Sequence, residues 1–455
     1  MFAVATGLCA LAFLSAFLAG RRSLAWGLCT AFFWGYFYGI LRANVLNAMS
    51  HFIFDSALVG CYASLLFQKV NRATLLRSKP LGDWVAVLIA WTLLIALIPF
   101  QTPLVTLVGL RGNLFFIPVL LLATRLDSHQ LRQVILFLAG MNLVALGFGI
   151  AEYFQGIERY YPVSEVTAII YRSHDVAGGY YRIPAIFANA HAYAGTMVAT
   201  MPFMLGLTGI AAAAKWQRLL ALAGFVAGLF GVLFSNTRTN FIATVLILLV
   251  FLLLGKMRPG IKAAIVFVIL IVGLVASTNP RFSGRFQSLE KTEDITGRLA
   301  GSVNRSFLEV ITDYPLGNGL GGGGTSVPHF LAHQVRRAIA VENEYARIAL
   351  ELGFPGLLLW IGFLGWILIR GAQTHKNDTW LTARRLMLFY LCINFGLAVL
   401  GTGMLTAIPA TMLSLFNAGW LITKPLPEDL LPLESSRRMK MAQPNAASLA
   451  RPGLS

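Results

Sequence analysis

A succession of apolar stretches, each close to one bilayer in length, constrains this chain more than any other feature. They fall at 3–19, 25–41, 52–67, 84–100, 103–124, 133–153, 187–208, 219–235, 241–255, 263–277, 346–369, 386–404 and 406–423. A helix needs about 20 apolar residues to cross the hydrocarbon core. The thirteen stretches, some short or closely joined, therefore predict about 12–13 spans. They are apolar on every side rather than on one helical stripe, which suits helices that face lipid or one another. Backbone groups in lipid must satisfy each other, so helices are the default. The alternating pattern of a membrane barrel is missing from these stretches. The expected fold is an all-α polytopic transmembrane bundle. Only 12% of residues are charged and 57% are hydrophobic, against about 25% charged in soluble domains. That balance excludes a soluble enzyme, a nucleic-acid-binding domain and a disordered protein.

The net charge of +17 is informative through its placement. The short connections carry Arg21, Arg22, Lys69, Arg72, Arg77, Lys79, Arg125, Arg132, Lys215, Arg218, Lys256, Arg258, Lys262, Arg370, Lys376, Arg384 and Arg385, and the tail adds Lys424, Arg437, Arg438, Lys440 and Arg451. These 22 basic residues fall on every second connection, with six acids beside them. The positive-inside rule assigns that side to the cytoplasm. The two long gaps, 154–186 and 277–345, then face outward, with the N-terminus outside and the tail inside. The remaining positions hold 13 Arg, one Lys and 13 acids. Arg presents a fixed fork that grips phosphate bidentately, so this bias suggests an anionic, phosphorylated ligand at the outer side. Generic salt bridging in loops is the alternative.

The spans divide the chain into an N-terminal set over 1–153, a core over 154–360 holding both long loops, C-terminal spans over 361–424, and a disordered tail over 425–455. The four cysteines lie in apolar runs without CxxC spacing, so neither a metal site nor a disulfide framework is expected. The N-terminus lacks the basic n-region of a secretory signal.

Four segments break the apolar pattern with chemistry. Tyr180–Tyr181–Arg182 leads into Asn189 and His191 at the opening of a span, where a lone His serves equally as a structural hydrogen bonder or a catalyst. Phe234–Ser235–Asn236–Thr237–Arg238–Thr239–Asn240 is a tight polar turn. Its single Arg either snorkels to headgroups or meets a ligand. The long outer segment carries Arg298 and Arg305 in a helix-compatible stretch over 297–313. It ends at Tyr314–Pro315 and a glycine-rich run through Gly317, Gly319, Gly321 and Gly324. Such a run lets backbone N–H groups approach phosphate. It lacks the GK[ST] ending of a P-loop, and a hinge or linker is the bland reading. Finally Glu342–Asn343–Glu344–Tyr345 precedes Arg347 and Glu351 at the outer end of a span. Ionisable groups there are costly and are usually paired or functional. Glu344 and Arg347 have i,i+3 spacing and can pair. Glu342 has no cation at helical spacing except through Arg336 and Arg337 upstream, and is the better candidate for a general base.

In this order the four segments resemble the O-antigen ligase/O-antigen polymerase superfamily of bacterial envelope glycosyltransferases. Arg182, then Phe187–Ala188–Asn189–Ala190–His191 with Pro202 later, is similar to the family's "R…F-x-N-x-N-x-x-A…P" entry. Phe234–Arg238 resembles its "S-x-S-R" turn. Arg298 followed by Tyr314–Pro315–Leu316–Gly317–Asn318–Gly319 resembles its "R…hP-L-x-G-x-G-x-G" segment. Glu342–Asn343–Glu344–Tyr345 through Gly356 resembles its "H-N-x-Y-L…E-x-G-x-x-G" signature. The likeness covers about 180–360. There are two departures: Glu342 stands where family ligases usually carry His, and His191 replaces the usual Asn.

The resemblance implies a glycosyltransferase-C-like, inverting enzyme of the bacterial inner membrane that needs no metal or other cofactor. Its active site would face the periplasm. The donor would be a glycan on undecaprenyl diphosphate, and the acceptor a glycan or lipid-linked hydroxyl. A chain-length regulator and a flippase are implied neighbours; a nucleic acid is not. Glu342, Arg238 and Arg298 would be catalytic. Arg182, Arg305, Asn189, His191, Asn343, Glu344, Tyr345, Gly319 and Gly321 would bind diphosphate or substrate. The carboxylate at 342 favours a polymerase of O-antigen or exopolysaccharide repeats over a ligase to lipid A–core. A polysaccharide transporter and a non-catalytic assembly subunit are the readings from other classes. A transporter would be expected to show internal repeats, and none is visible by eye.

Overall fold

The computed structural model describes residues 1–68, 72–172, 180–210, 212–254, 259–279, 307–324, 327–339, 341, 343–373 and 378–425. Every apolar stretch predicted above contains a helix. In chain order these are α1 (Phe2–Arg22), α2 (Leu24–Asn44), α3 (Ile53–Ser64), α4 (Arg72–Ala96), α5 (Pro103–Leu114), α6 (Val119–Ala123) and α7 (Ser128–Gln155). There follow α8 (Ala168–Tyr171), α9 (Ala190–Gly209), α10 (Lys215–Ser235), α11 (Arg238–Leu254), α12 (Pro259–Thr278), α13 (Glu309–Asp313), α14 (Glu344–Ala372), α15 (Leu381–Leu397) and α16 (Ala410–Leu421). Among the described residues there is no β-strand, and the chain is an all-α polytopic membrane protein.

Among the described residues eight helical segments are long and apolar enough to cross a bilayer, fewer than the 12–13 expected. They are Phe2–Arg22, Leu24–Asn44, Ala48–Phe67, Ser78–Ala96, Pro103–Ala123, Ser128–Gln155, Lys215–Ser235 and Glu344–Ala372. Part of the shortfall has a physical reason. The helix α9 is buried at nearly every position from Ala190 to Thr208, and α16 from Thr411 to Leu421. Both face protein rather than lipid: Thr, Gly and Pro are tolerated in α9 and lower its hydropathy, while α16, with 12 residues, is too short to cross by itself. Around α9 pack α7, α10, α11, α15 and α16, while α1 lies at the periphery and buries only Ala5, Cys9, Ala12, Ala16 and Gly20. One contiguous core runs from Leu24 to Leu421, and α14 extends from Glu344 to Ala372.

Side-chain contacts sort the helix ends into two sets. At one end Gln68 donates to the Gly20 carbonyl, and Trp380 donates to Ser128. There Arg384 pairs with Asp378 and donates to the Trp420 and Leu421 carbonyls at the end of α16. This is the end of the basic connections. Two of its charges, Asp378 and Arg384, are thus a buried pair rather than loop charge. The opposite end gathers residues 40–52, 97–103, 152–172, 180–191, 234–240, 314–324, 327–339, 343 and 398–409, and the described parts of the four chemical segments belong to it.

Candidate functional site

The site is built around an irregular segment, 183–189, buried beneath the end of the bundle. Ile183, Ala185, Ile186 and Phe187 are all fully buried. Non-helical backbone at such depth requires protein partners for its polar groups. The Ile183 N–H donates to the Phe234 carbonyl at 3.3 Å, and the Ile186 carbonyl accepts from Ile40 N–H at 3.1 Å. Ala185 takes a positive φ of 51°. Its N–H donates to Glu152 Oε2 at 3.0 Å, and the Tyr161 hydroxyl reaches its carbonyl at 2.6 Å and that of Phe187 at 2.8 Å. Burial holds the Tyr161 phenol well above its ordinary pKa, with Glu152 acting in the same direction, so it is a neutral donor. The segment lies directly on α2: a Cβ on Gly39 would sit 1.9 Å from the Phe187 carbonyl carbon.

This segment ends by capping α9. Asn189 accepts from the Ala192 N–H at 2.8 Å, which is why the helix starts at Ala190. Arg182 and Asn189 are half-buried and His191 is exposed.

The 234–240 turn joins α10 to α11. Asn236 closes α10 in the left-handed conformation, φ 51°. The Ser235 hydroxyl donates to the Val232 carbonyl and lies 3.1 Å from the Thr237 hydroxyl, and Asn240 donates to the latter. Arg238 is the first residue of α11, half-buried. A cation at a helix N-terminus opposes the macrodipole, whereas an anion there meets both the guanidinium and free N–H groups. The α9 and α11 N-termini lie together, since a Cβ on Gly195 would be 3.9 Å from Asn240 Oδ1. The Ile183–Phe234 bond ties Arg182 to the Arg238 turn. The structure thus brings Arg182, Asn189, His191 and Arg238 to one end of adjoining elements.

The third group surrounds α14. Asn343 caps it through the Tyr345 and Ala346 N–H groups. Arg347 is wholly buried between Glu344 (2.8 Å) and Glu351 (2.7 Å), so the i,i+3 pairing is present and extended to i+4. Glu344 also accepts from the Gly403 and Leu405 N–H groups, and Glu351 from Asn113 at 2.7 Å. Tyr345 donates to the Phe395 carbonyl. Asn343, Glu344 and Tyr345 therefore make contacts inside the protein that fix the start of α14.

The glycine-rich run is a packed turn. Gly317 and Gly353 both take positive φ and lie against each other, and Gly353 kinks α14. The carbonyls freed by that kink are met by Asn318 N–H at Leu350 (2.6 Å) and Trp91 Nε1 at Leu352 (3.0 Å), while Phe354 N–H reaches Pro315. Gly319 and Gly321, each φ 81°, press on Phe100 and Val105. The two motifs read separately in the sequence are therefore one interlocked unit. The neighbouring α15 contacts α9, α11 and α14, linking this unit to the Arg182–Arg238 group.

Glu342, Arg298 and Arg305 lie outside the described residues, as do most of the helix-compatible stretch 297–313 and the tail beyond 425. Sequence reasoning missed Glu152, Tyr161 and Asn113. Glu152 had a signal: it is the lone acidic or basic residue of its apolar stretch.

No curated protein matches the chain. Residues 223–361 match the family described as O-antigen ligase. The matched stretch runs from within α10 across the Arg238 turn, the glycine run and the charged start of α14. Over these residues the chain is similar to the O-antigen ligase family, which supports a role in glycan assembly for this integral membrane protein.

Proposed function

We propose that the protein is an inner-membrane glycosyltransferase that uses a glycan on undecaprenyl diphosphate at the periplasmic face and polymerises envelope polysaccharide repeats. The observation that carries this reading is the O-antigen ligase match over 223–361, which includes an arginine at a helix N-terminus tied by backbone to a second arginine-bearing segment. Arg238 and Arg298 hold the diphosphate, with Arg182 and Arg305 assisting and Asn189 and His191 at the rim. The acceptor hydroxyl oxygen attacks the anomeric carbon, the bond from that carbon to the phosphate oxygen breaks, and the configuration inverts. The hydroxyl proton passes to the Glu342 carboxylate, and the electron pair leaves on undecaprenyl diphosphate, whose charge the arginines stabilise. Each well-placed donor of this kind is worth about 3 kcal/mol. Asn343, Glu344 and Tyr345 support the acceptor side by fixing the start of α14, and Gly319 and Gly321 by closing the glycine run against Phe100 and Val105.

Transfer to lipid A–core is the second reading, favoured by the ligase description of the matched family. Purified protein incubated with a lipid-linked repeat, with and without lipid A–core, separates the two. A ladder without core supports polymerisation, transfer only with core supports ligation, and no product under either condition refutes both.

A further inference from the structure

Glu152 carries a buried carboxyl group to which the proposed reaction gives no role. It sits near the end of α7, 1% exposed, and a buried carboxylate is costly unless it is hydrogen-bonded. Its Oε2 accepts from Ala185 N–H, while Oε1 has no hydrogen-bond partner among the described residues. The bond falls on the one residue of the 183–189 segment with positive φ, a conformation that a non-glycine residue holds only when its surroundings enforce it. The other face of the same residue is held by Tyr161, so Ala185 is gripped at N–H and C=O together. On one side of this grip the chain runs through Ile183, bonded to the Phe234 carbonyl, to Arg182. On the other it runs to the Asn189 cap.

We propose that Glu152, seconded by Tyr161, is a positioning residue for the diphosphate: by holding Ala185 it sets Arg182 against the Phe234–Arg238 turn, at the spacing that two linked phosphates require. The inference rests on the diphosphate reading given above. Glu152 acts through a hydrogen bond accepted from Ala185, not through its charge. Glutamine, whose side-chain oxygen accepts the same bond, therefore replaces it.

The test is binding of undecaprenyl diphosphate and undecaprenyl monophosphate to the purified full-length protein in detergent, for wild type, Glu152→Gln, Glu152→Ala, Tyr161→Phe and Arg238→Ala. Loss of spacing weakens the two-phosphate ligand more than the one-phosphate ligand, a ratio that general loosening of the fold does not move. Glu152→Ala is expected to weaken diphosphate binding about tenfold and monophosphate binding less than threefold. Glu152→Gln should stay within about twofold of wild type for both. Tyr161→Phe is expected to shift the ratio in the same direction by about threefold, and it carries the test if Glu152→Ala does not fold. Equal damage from Glu152→Gln and Glu152→Ala overturns the inference, as does an unchanged ratio in Tyr161→Phe together with an unchanged or unmeasurable Glu152→Ala. If either result accompanies a weakened Arg238→Ala, the diphosphate reading survives and only the role of Glu152 falls. Wild-type binding in Arg238→Ala removes the diphosphate reading and the inference with it.

Discussion

Replacing Arg347 with methionine keeps much of the side chain's length and removes its charge. The guanidinium is wholly buried and meets two carboxylates, Glu344 at 2.8 Å and Glu351 at 2.7 Å, both wholly buried themselves. The variant leaves two anions with no cation beside them. Breaking a buried ion pair typically costs about 3–5 kcal/mol, because the orphaned charge stays desolvated. Here Glu344 retains the Gly403 and Leu405 N–H groups and Glu351 retains Asn113, so the two losses do not simply double. The expected destabilisation is about 4 kcal/mol, a shift of roughly a thousandfold in the folding equilibrium. Equilibrium unfolding in mixed micelles of increasing SDS content measures it. The decisive comparison is the triple variant Arg347→Met, Glu344→Gln, Glu351→Gln, which removes the orphaned charges and should recover stability to within about 1 kcal/mol of wild type. Either of two results refutes the reasoning: Arg347→Met as stable as wild type, or a triple variant less stable than Arg347→Met alone.

Three further outcomes are expected. Gly109→Ala places a Cβ 2.3 Å from the Gly321 nitrogen, a backbone atom that cannot swing aside. It should cost at least about 1–3 kcal/mol in the same unfolding measurement, whereas Gly7→Ala, with open space around it, should cost nothing measurable. Arg384→Gln leaves Asp378 buried without its cation and weakens the hold on the last carbonyls of α16, so it should cost about 3 kcal/mol. Adding Asp378→Asn should recover part of that loss. Glu342→Ala should lower transfer from a lipid-linked repeat by about 100-fold or more, the usual scale for a general base, while leaving donor binding intact. Transfer at the wild-type rate would remove Glu342 from that role.

Much of the architecture is legible in the sequence because lipid imposes a single, coarse rule. Runs such as 133–153 and 346–369 read as helices by length and apolarity alone, and they are helices. That rule fails where a helix is shielded from lipid by its neighbours. Residues such as Thr196, Thr200, Pro202 and Asn417 lower the hydropathy of the innermost helices because there a polar group finds a partner: Thr200 accepts from Asn142, and Asn417 donates to the Ala199 carbonyl. The site was legible as separate motifs, and not as an arrangement. The pairing of Glu344 with Arg347 follows from helical spacing. The grip of Glu152 on Ala185, 33 residues away, does not. Nor does the seating of the Pro315–Asn318 turn on the Gly353 kink, because these contacts depend on how irregular segments cross between helices. The glycine run shows the same limit. A positive φ and a close approach both select glycine, and composition cannot distinguish a loop open to phosphate from one closed against Phe100 and Val105.

The central claim is that the Arg182–Arg238 end of the bundle binds the diphosphate of a lipid-linked glycan and supports its transfer. Single-turnover consumption of a radiolabelled undecaprenyl-diphosphate-linked repeat by purified wild-type and Arg238→Ala protein tests it most directly. The account predicts elongated lipid-linked product from the wild type and a rate about 100-fold lower, or less, from Arg238→Ala. Equal rates for the two proteins, or an intact donor after incubation with a folded wild type and either acceptor, would contradict it.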